Sequence, residues 1–249
     1  MNPSALLQVF RDPPLDGPEN MARDEHLLYA DSLTPAALRI YAWTPPTISL
    51  GYFQAYGETQ HLPADLRALP VVRRLTGGGA ILHDREITYG LVIDHDWPPA
   101  QQAPEVLYKL VHTCWLEVCA ADEPRIEMAS DSLDFPSPRR GPFFCFEKPG
   151  RTDLVIGPDK LLGSAQRRAH GRVLQHGSLL LGRGFTAHPG ASLGDPTAEQ
   201  AEQWITAFIA ALARRLDLTP RPATWSPARL ADVAQRRIRY ASAVWTRRR

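Results

Sequence analysis

Three consecutive glycines stand between an arginine pair and a His-Asp pair in RRLTGGGAILHD, Arg73 to Asp84. A turn without Cβ atoms lets backbone N–H groups approach a ligand and permits positive φ, and Arg73 and Arg74 suit a carboxylate or phosphate. Neither familiar phosphate loop fits. No Gly-Lys-Ser/Thr ending follows, and a dinucleotide fingerprint would need glycine where Leu82 stands. Taken alone, the stretch reads equally as a glycine-rich hairpin turn with solvated arginines.

Two reactive side chains follow, Cys145 in FFCFEKPG and Lys160 in GPDKLLGSAQ. Cys145 sits in a short aromatic loop just before a strand, where irregular backbone can present a side chain to a pocket. On composition alone it reads as a buried thiol among Phe143, Phe144 and Phe146. Of 28 basic residues, 25 are Arg and only Lys109, Lys148 and Lys160 are Lys. In a chain that defaults to Arg, each Lys raises the question whether a smaller, more readily deprotonated head group is required. Read alone, Lys160 is a turn-flanking surface lysine. Cys114, Cys119 and Cys145 are too few and too uneven for a disulfide framework. No His, Asp or Cys spacing resembles a metal-ligand set, so no metal is expected.

The elements that must position these residues come from an ordinary composition, with 44% hydrophobic and 22% charged residues and a net charge of +1. No global field points to nucleic acid or membrane as a partner. No apolar run approaches the roughly 18 residues of a membrane span, and the N-terminus lacks a signal pattern, so the expected location is cytoplasmic. GPENMARDEHLLYADS predicts a helix opened by Pro18 and Glu19. ALRIYAW and TISLGYFQ, separated by Pro45-Pro46, predict a hairpin, and VVRRL and ITYGLVIDHDW predict strands flanking the glycines. APEVLYKLVHTCWLEVCAAD is the clearest helix, with Leu107, Leu110, Val111, Cys114 and Val118 on one face. SDSLDFPSPRRGP reads as a loop, TDLVIGPDKLLGSAQRR as strand, turn and strand, and RVLQHGSLLLG as a further strand. TAEQAEQWITAFIAALARRL is a second amphipathic helix, built on Trp204, Phe208, Ala211, Leu212 and Leu216. The expectation is one α+β domain over residues 1–249, with a mixed, largely antiparallel sheet, flanking helices and a short Arg-rich tail from about 221.

RRLTGGGAILHD resembles the Arg-Arg-x-x-Gly-Gly-Gly-x-x-x-His-Asp signature of the lipoate/octanoate protein ligase and transferase family, related in fold to biotin protein ligases. ENMARDEHLL resembles that family's first helix and ALRIYAWTPPTISLGYFQ its first hairpin. DLVIGPDKLLGSAQRRAHGRVLQHGSLLL resembles its lysine strand and the Gln-His-Gly-Ser that follows. The resemblance runs from about residue 17 to 185 and implies a biotin/lipoate protein ligase-like catalytic domain. It also implies that Gly77, Gly78 and Gly79 enclose an acyl chain or its adenylate, with Arg73, Arg74, His83, Asp84, Gly163, Ser164, Ala165 and His176 around the substrate.

Cys145 matches the acyl-accepting cysteine of the octanoyltransferases in this family, and the counterpart of Lys160 lies in the acyl pocket. There an ammonium would stabilise a thiolate and a developing oxyanion, or a free amine would take a proton. Lys148, nearer in sequence, is the other possible partner of the thiol. His83 and His176 would orient loops or assist the acceptor lysine; Asp84 and Asp153 would hold loops or accept from arginines. Gln166 resembles a pocket or carrier-contact residue. The activity implied is transfer of octanoyl from acyl carrier protein to a lysine of a lipoyl-domain or glycine-cleavage H-type carrier, through a cysteine thioester and without a cofactor. The alternatives are ATP-dependent lipoate ligation, which needs ATP and Mg, and amidotransfer between carrier proteins. QRRIRYASAVWTRRR reads as a solvated tail or a dock for an acidic carrier, and Arg167, Arg168 and Arg172 as a second such cluster.

Overall fold

A computed structural model describes residues 5–30, 34–129 and 141–249. The loop expected at SDSLDFPSPRRGP lies, but for Gly141 and Pro142, outside the described residues. The strands are β1 (Leu6–Arg11), β2 (Ala36–Tyr41), β3 (Thr47–Leu50), β4 (Val71–Arg73), β5 (Ile81–His83), β6 (Glu86–Asp94), β7 (Ile126–Met128), β8 (Leu154–Ile156), β9 (Asp159–Ala169), β10 (Arg172–Leu180) and β11 (Thr219–Pro222). The helices are α1 (Gly17–Tyr29), α2 (Ala64–Arg67), α3 (Pro98–Gln101), α4 (Pro104–Cys119), α5 (Ala198–Leu216), α6 (Pro227–Ala241) and α7 (Ala243–Thr246).

The large sheet runs β11-β1-β2-β6-β10-β9-β8-β7 and a small one runs β4-β3-β5. β11, β1 and β2 are parallel, and the rest of the large sheet is antiparallel. The mixed, largely antiparallel α+β architecture is the one expected. β6 is buried over almost its whole length because both sheet faces are covered. Ile87, Tyr89, Leu91 and Ile93 meet α4 and α5, while Val92 on the opposite face joins the core beneath α1 and α6. A strand covered on both faces reads as a continuous apolar run, as ITYGLVID does.

Helices formed where periodicity placed them. The Asp16 side chain caps α1 by accepting from Glu19 N at 2.8 Å, and the Thr197 side chain caps α5. Trp204, Phe208, Ala211, Leu212 and Leu216 are all buried, and the Phe208 ring stacks on Trp115 of α4 at 3.9 Å.

Two expectations are corrected. β2 and β3 do not form a hairpin: β2 pairs with β1 and β6, whereas β3 founds the small sheet. Pro45 and Pro46 have no N–H to continue a ladder, so the chain changes sheets there. The segment beyond Pro220 is not a solvated tail. β11 adds to the sheet edge, and α6 lies along α1, with Arg237 on Asp16 and Glu19 and Arg239 on Glu25. Trp245 Nε1 then donates to the Arg73 carbonyl at 2.9 Å, fastening α7 to β4.

The α4–α5 contact is the larger apolar core, and losing one of its stacked rings leaves a cavity. Phe208→Ala should therefore lower stability by about 3–5 kcal/mol. Urea unfolding followed by tryptophan fluorescence should show an earlier midpoint with an unchanged slope; an unmoved midpoint would contradict this core assignment.

Candidate active site

Lys160, near the start of β9, is 3% exposed. Its Nζ donates to Cys145 Sγ at 3.2 Å and pairs with Asp153 Oδ2 at 2.8 Å. Burial pushes the ammonium down, but Cys145 and Asp153 outweigh it and hold Lys160 above the ordinary lysine value. These two partners favour the ammonium of Lys160 over its free amine. Asp153 accepts from this lysine rather than from an arginine, and also from Gly150 N at 2.6 Å. Lys148 lines the same cleft, but Lys160 holds the sulfur.

The backbone approaches that make this site possible need glycine. Cys145 N donates to Ala80 O, and Ala80 N to Phe143 O, both at 2.8 Å, so the cysteine loop is stitched to the glycine loop. A Cβ on Gly79 would lie 2.9 Å from Cys145 N and 3.1 Å from Phe143 O. A Cβ on Gly163 would lie 2.1 Å from Lys160 Cε, where the lysine side chain crosses. The cleft around the sulfur encloses about 540 Å³ and is lined by Gly79, Tyr108, Cys145, Asp153, Lys160 and Ser164, among others. A separate cleft of about 340 Å³ between the small sheet and α6–α7 is lined by hydroxyl, apolar and arginine side chains, with no cysteine, lysine or histidine among its described residues.

The arginine pair faces elsewhere. Arg73 is fully buried and donates to the carbonyls of Gly51, Gln54 and Thr246, so its guanidinium holds backbone. Arg74 donates to Gly77 O at 2.8 Å and Gly79 O at 2.6 Å, bracing the glycine loop from within. Burial lowers its pKa to about 10 despite the nearby Cys145. Gly78 takes a φ of 93°, open to glycine at no cost.

Both histidines are tied into structure. His83 stacks on Trp43 at 3.7 Å and bridges Ser49 Oγ and Glu86 Oε1 at 2.7 Å each. His176 bridges Thr76 Oγ1 at 2.7 Å and Asp24 Oδ2 at 2.9 Å, linking the glycine loop to α1. They line a narrow enclosed cavity with Met21, Trp43 and Ile81. Asp84 accepts from Gly184 N at 2.6 Å, and Ala165 stands opposite His176 in the β9–β10 register. Gln166 Nε2 donates to Pro104 O and Gln175 Oε1. Arg172 pairs with Asp94, whereas Arg168 donates to the carbonyls of Ala100 and Gln102, which hold its side chain without neutralising its charge.

Sequence reasoning missed Tyr108 and His112 on α4. His112 is buried between the Thr152 carbonyl at 2.5 Å and Ser164 Oγ at 2.6 Å. A lone His at helical spacing among apolar residues is no signal of this; only the packing of β9 on α4 reveals it.

The fold is that of solved lipoate-handling proteins. Protein Ta0514 from T. acidophilum, solved with bound lipoic acid, superposes with a TM-score of 0.76 over 99% of this chain and 100% of that one, at 17% identity. A bi-partite lipoate protein ligase from Thermoplasma acidophilum, described with its E2 lipoyl domain, gives 0.71 over 98% and 96%, at 16% identity. Residues 16–211 match the lipoyl protein ligase A/B catalytic domain, and the chain belongs to this family. It is 40% identical over 171 residues to octanoyltransferase LipM of Moorella thermoacetica, covering 65% of this chain and 60% of that protein. The chain thus spans about 60% of the length of the curated relatives it matches.

Burial pushes the His112 pKa down to about 4, and His83 and His26 shift the same way. The unfolded chain takes up protons on these rings below about pH 6.5, whereas the folded chain leaves His112 neutral until near pH 4. Stability is therefore full above pH 6.5 and falls as pH drops towards 4, by about 1.4 kcal/mol per pH unit for His112 alone. Urea midpoints at pH 7, 6 and 5 should decline, and His112→Gln should flatten the trend. Equal midpoints across that range would contradict a neutral buried ring.

Proposed function

We propose that this protein is an octanoyl-[acyl carrier protein]:protein octanoyltransferase, working in the cytoplasm through a thioester on Cys145 and without a cofactor. The observation that carries the reading is the Lys160 ammonium held 3.2 Å from Cys145 Sγ, in a cleft bordered by the glycine loop. A thiolate next to a fixed cation is a competent nucleophile at neutral pH, and the thioester it forms stays reactive towards an amine.

In the first half-reaction Cys145 attacks the carbonyl carbon of the octanoyl thioester. A bond forms from that carbon to Sγ, the bond to the donor's sulfur breaks, and the departing thiolate takes up the proton that Cys145 gave up. Lys160 stabilises negative charge at the sulfur and at the developing oxyanion without itself losing a proton. In the second half-reaction the lysine amine of a lipoyl-domain or H-type carrier attacks the same carbon and forms the amide, the bond from that carbon to Sγ breaks, and the proton lost by the nitrogen returns to the Cys145 sulfur. An eight-carbon chain supplies binding energy at about 0.8 kcal/mol per buried CH₂.

The ligase reading counts Arg73 among the groups that hold an adenylate, yet that guanidinium is committed to backbone carbonyls. This supports transfer over ATP-dependent ligation. An acylated carrier as sole donor distinguishes amidotransfer from the octanoyl route.

Intact mass of the protein after incubation with octanoyl-acyl carrier protein, without ATP, tests the proposal. A hydroxylamine-labile octanoyl adduct is expected in the unsubstituted chain and not in Cys145→Ala. Carrier labelling that requires ATP and free lipoate, and survives Cys145→Ala, would make the protein a ligase.

A further inference from the structure

Five hydrogen bonds run in series beside the Cys145 cleft, and their direction is fixed at one end. His112 Nδ1 lies 2.5 Å from the Thr152 carbonyl, and its Nε2 lies 2.6 Å from Ser164 Oγ. A carbonyl only accepts, so Nδ1 carries the proton and Nε2 of the neutral ring is an acceptor. The single Ser164 proton is thereby committed to His112. Tyr89, whose hydroxyl is 2.5 Å from Ser164 Oγ, must donate in that contact. The Tyr89 oxygen in turn accepts from Gln175 Nε2 at 2.9 Å, and Gln175 Oε1 accepts from Gln166 Nε2 at 2.8 Å. Every donor points towards Thr152, whose neighbour Asp153 holds Lys160.

Ser164 lines the cleft with Cys145 and Lys160, as does Thr152 at the end of the series, and Ser164 is the one of the two that joins the series through its side chain. It has no proton to offer there. With one lone pair taken by Tyr89, it keeps the other for a donor. An oxyanion needs donors and gains nothing from such a group, whereas the N–H of an amine is its complement.

We infer that Ser164 Oγ accepts an N–H of the carrier lysine while that amine attacks the Cys145 thioester, and that His112 is the positioning residue that keeps Ser164 an acceptor. The inference rests on the octanoyltransfer reading. In this step the amine nitrogen bonds to the acyl carbon, the bond from that carbon to Sγ breaks, and the amine proton ends on the sulfur. Ser164 orients the nitrogen and keeps no proton of its own from the exchange.

The test uses the full chain turning over octanoyl-acyl carrier protein and an acceptor lipoyl domain, quenched and weighed intact. The fraction of enzyme carrying octanoyl reports the ratio of acylation to aminolysis, which a general loss of structure does not raise. Ser164→Ala should accumulate the acyl-enzyme, with single-turnover aminolysis slowed about tenfold or more. His112→Gln, whose amide oxygen still accepts from Ser164, should stay within roughly three-fold of the unsubstituted chain. His112→Leu, which frees the Ser164 proton, should behave like Ser164→Ala. An unchanged adduct fraction in Ser164→Ala, equal slowing of both half-reactions, or equal accumulation in His112→Gln and His112→Leu each overturns the inference. Should His112→Leu fail to fold, Ser164→Ala and His112→Gln decide. If the unsubstituted chain never gains octanoyl on Cys145, the octanoyltransfer reading itself falls.

Discussion

The cleft depends on one buried cation. The Lys160 ammonium sits almost out of contact with water, between the Asp153 carboxylate and the Cys145 sulfur. Removing such a charge from water costs several kcal/mol unless partners compensate, so the surrounding backbone has to deliver two acceptors to one point. Asp153 arrives from the turn before β8, held by Gly150 N, and Cys145 from a single 3₁₀ turn hydrogen-bonded to the glycine loop. Gly163 leaves the volume into which the lysine stem folds back across its own strand. Two of the glycines in this arrangement act through the side chains they lack. Gly79 admits the cysteine backbone, and Gly163 admits the lysine.

The polar residues around the cleft mostly serve backbone groups that no strand can satisfy. Buried carbonyls must be paired somewhere, and irregular loops at Gly51, Gln54, Gly77 and Gly79 leave several facing inwards. An arginine, with donors in a fixed fork, meets two or three of these at once. Arg73 and Arg74 are used this way, and their interactions join the glycine loop, β3 and the C-terminal helices into one support. His83 and His176 do similar work with carboxylates on β6 and α1. An Arg-Arg pair beside glycines invites an anion-binding reading, but burial of both guanidiniums makes loop construction their first role.

What was legible in the sequence follows from how local each signal is. α1, α4 and α5 were readable because an amphipathic period is a property of one segment, and β6 because a strand covered on both faces reads as an apolar run. That β2 and β3 do not pair was not readable, because each strand's partners come from elsewhere in the chain. The C-terminal helices were misread for a related reason. Their arginines look solvated in isolation, and only the fold sets Asp16, Glu19 and Glu25 of the α1 region against them. At the site, Cys145 and Lys160 stood out by residue type and local motif, and their meeting across 15 residues is what folding added. Asp153 was read as holding a loop or accepting from arginines; it holds the Gly150 loop, and the cation it meets is Lys160. His112 carried no local mark, since its role exists only where β9 packs on α4.

The charge state of Lys160 also limits how protons can move in the proposed reaction. A lysine whose ammonium is held by two acceptors, and whose pKa is raised by them, neither gives up its proton cheaply nor takes another. Ser164 has its one proton engaged by His112, and the His112 ring has its acceptor nitrogen occupied by Ser164. None of these three groups is free to store the proton that the attacking amine must lose. The sulfur that leaves the acyl carbon is the group whose negative charge appears at that moment and at that place. Returning the proton to Cys145 closes the cycle with Lys160 and Asp153 unchanged. The cleft then works by holding charge and lone pairs in fixed positions while the substrates supply the proton traffic.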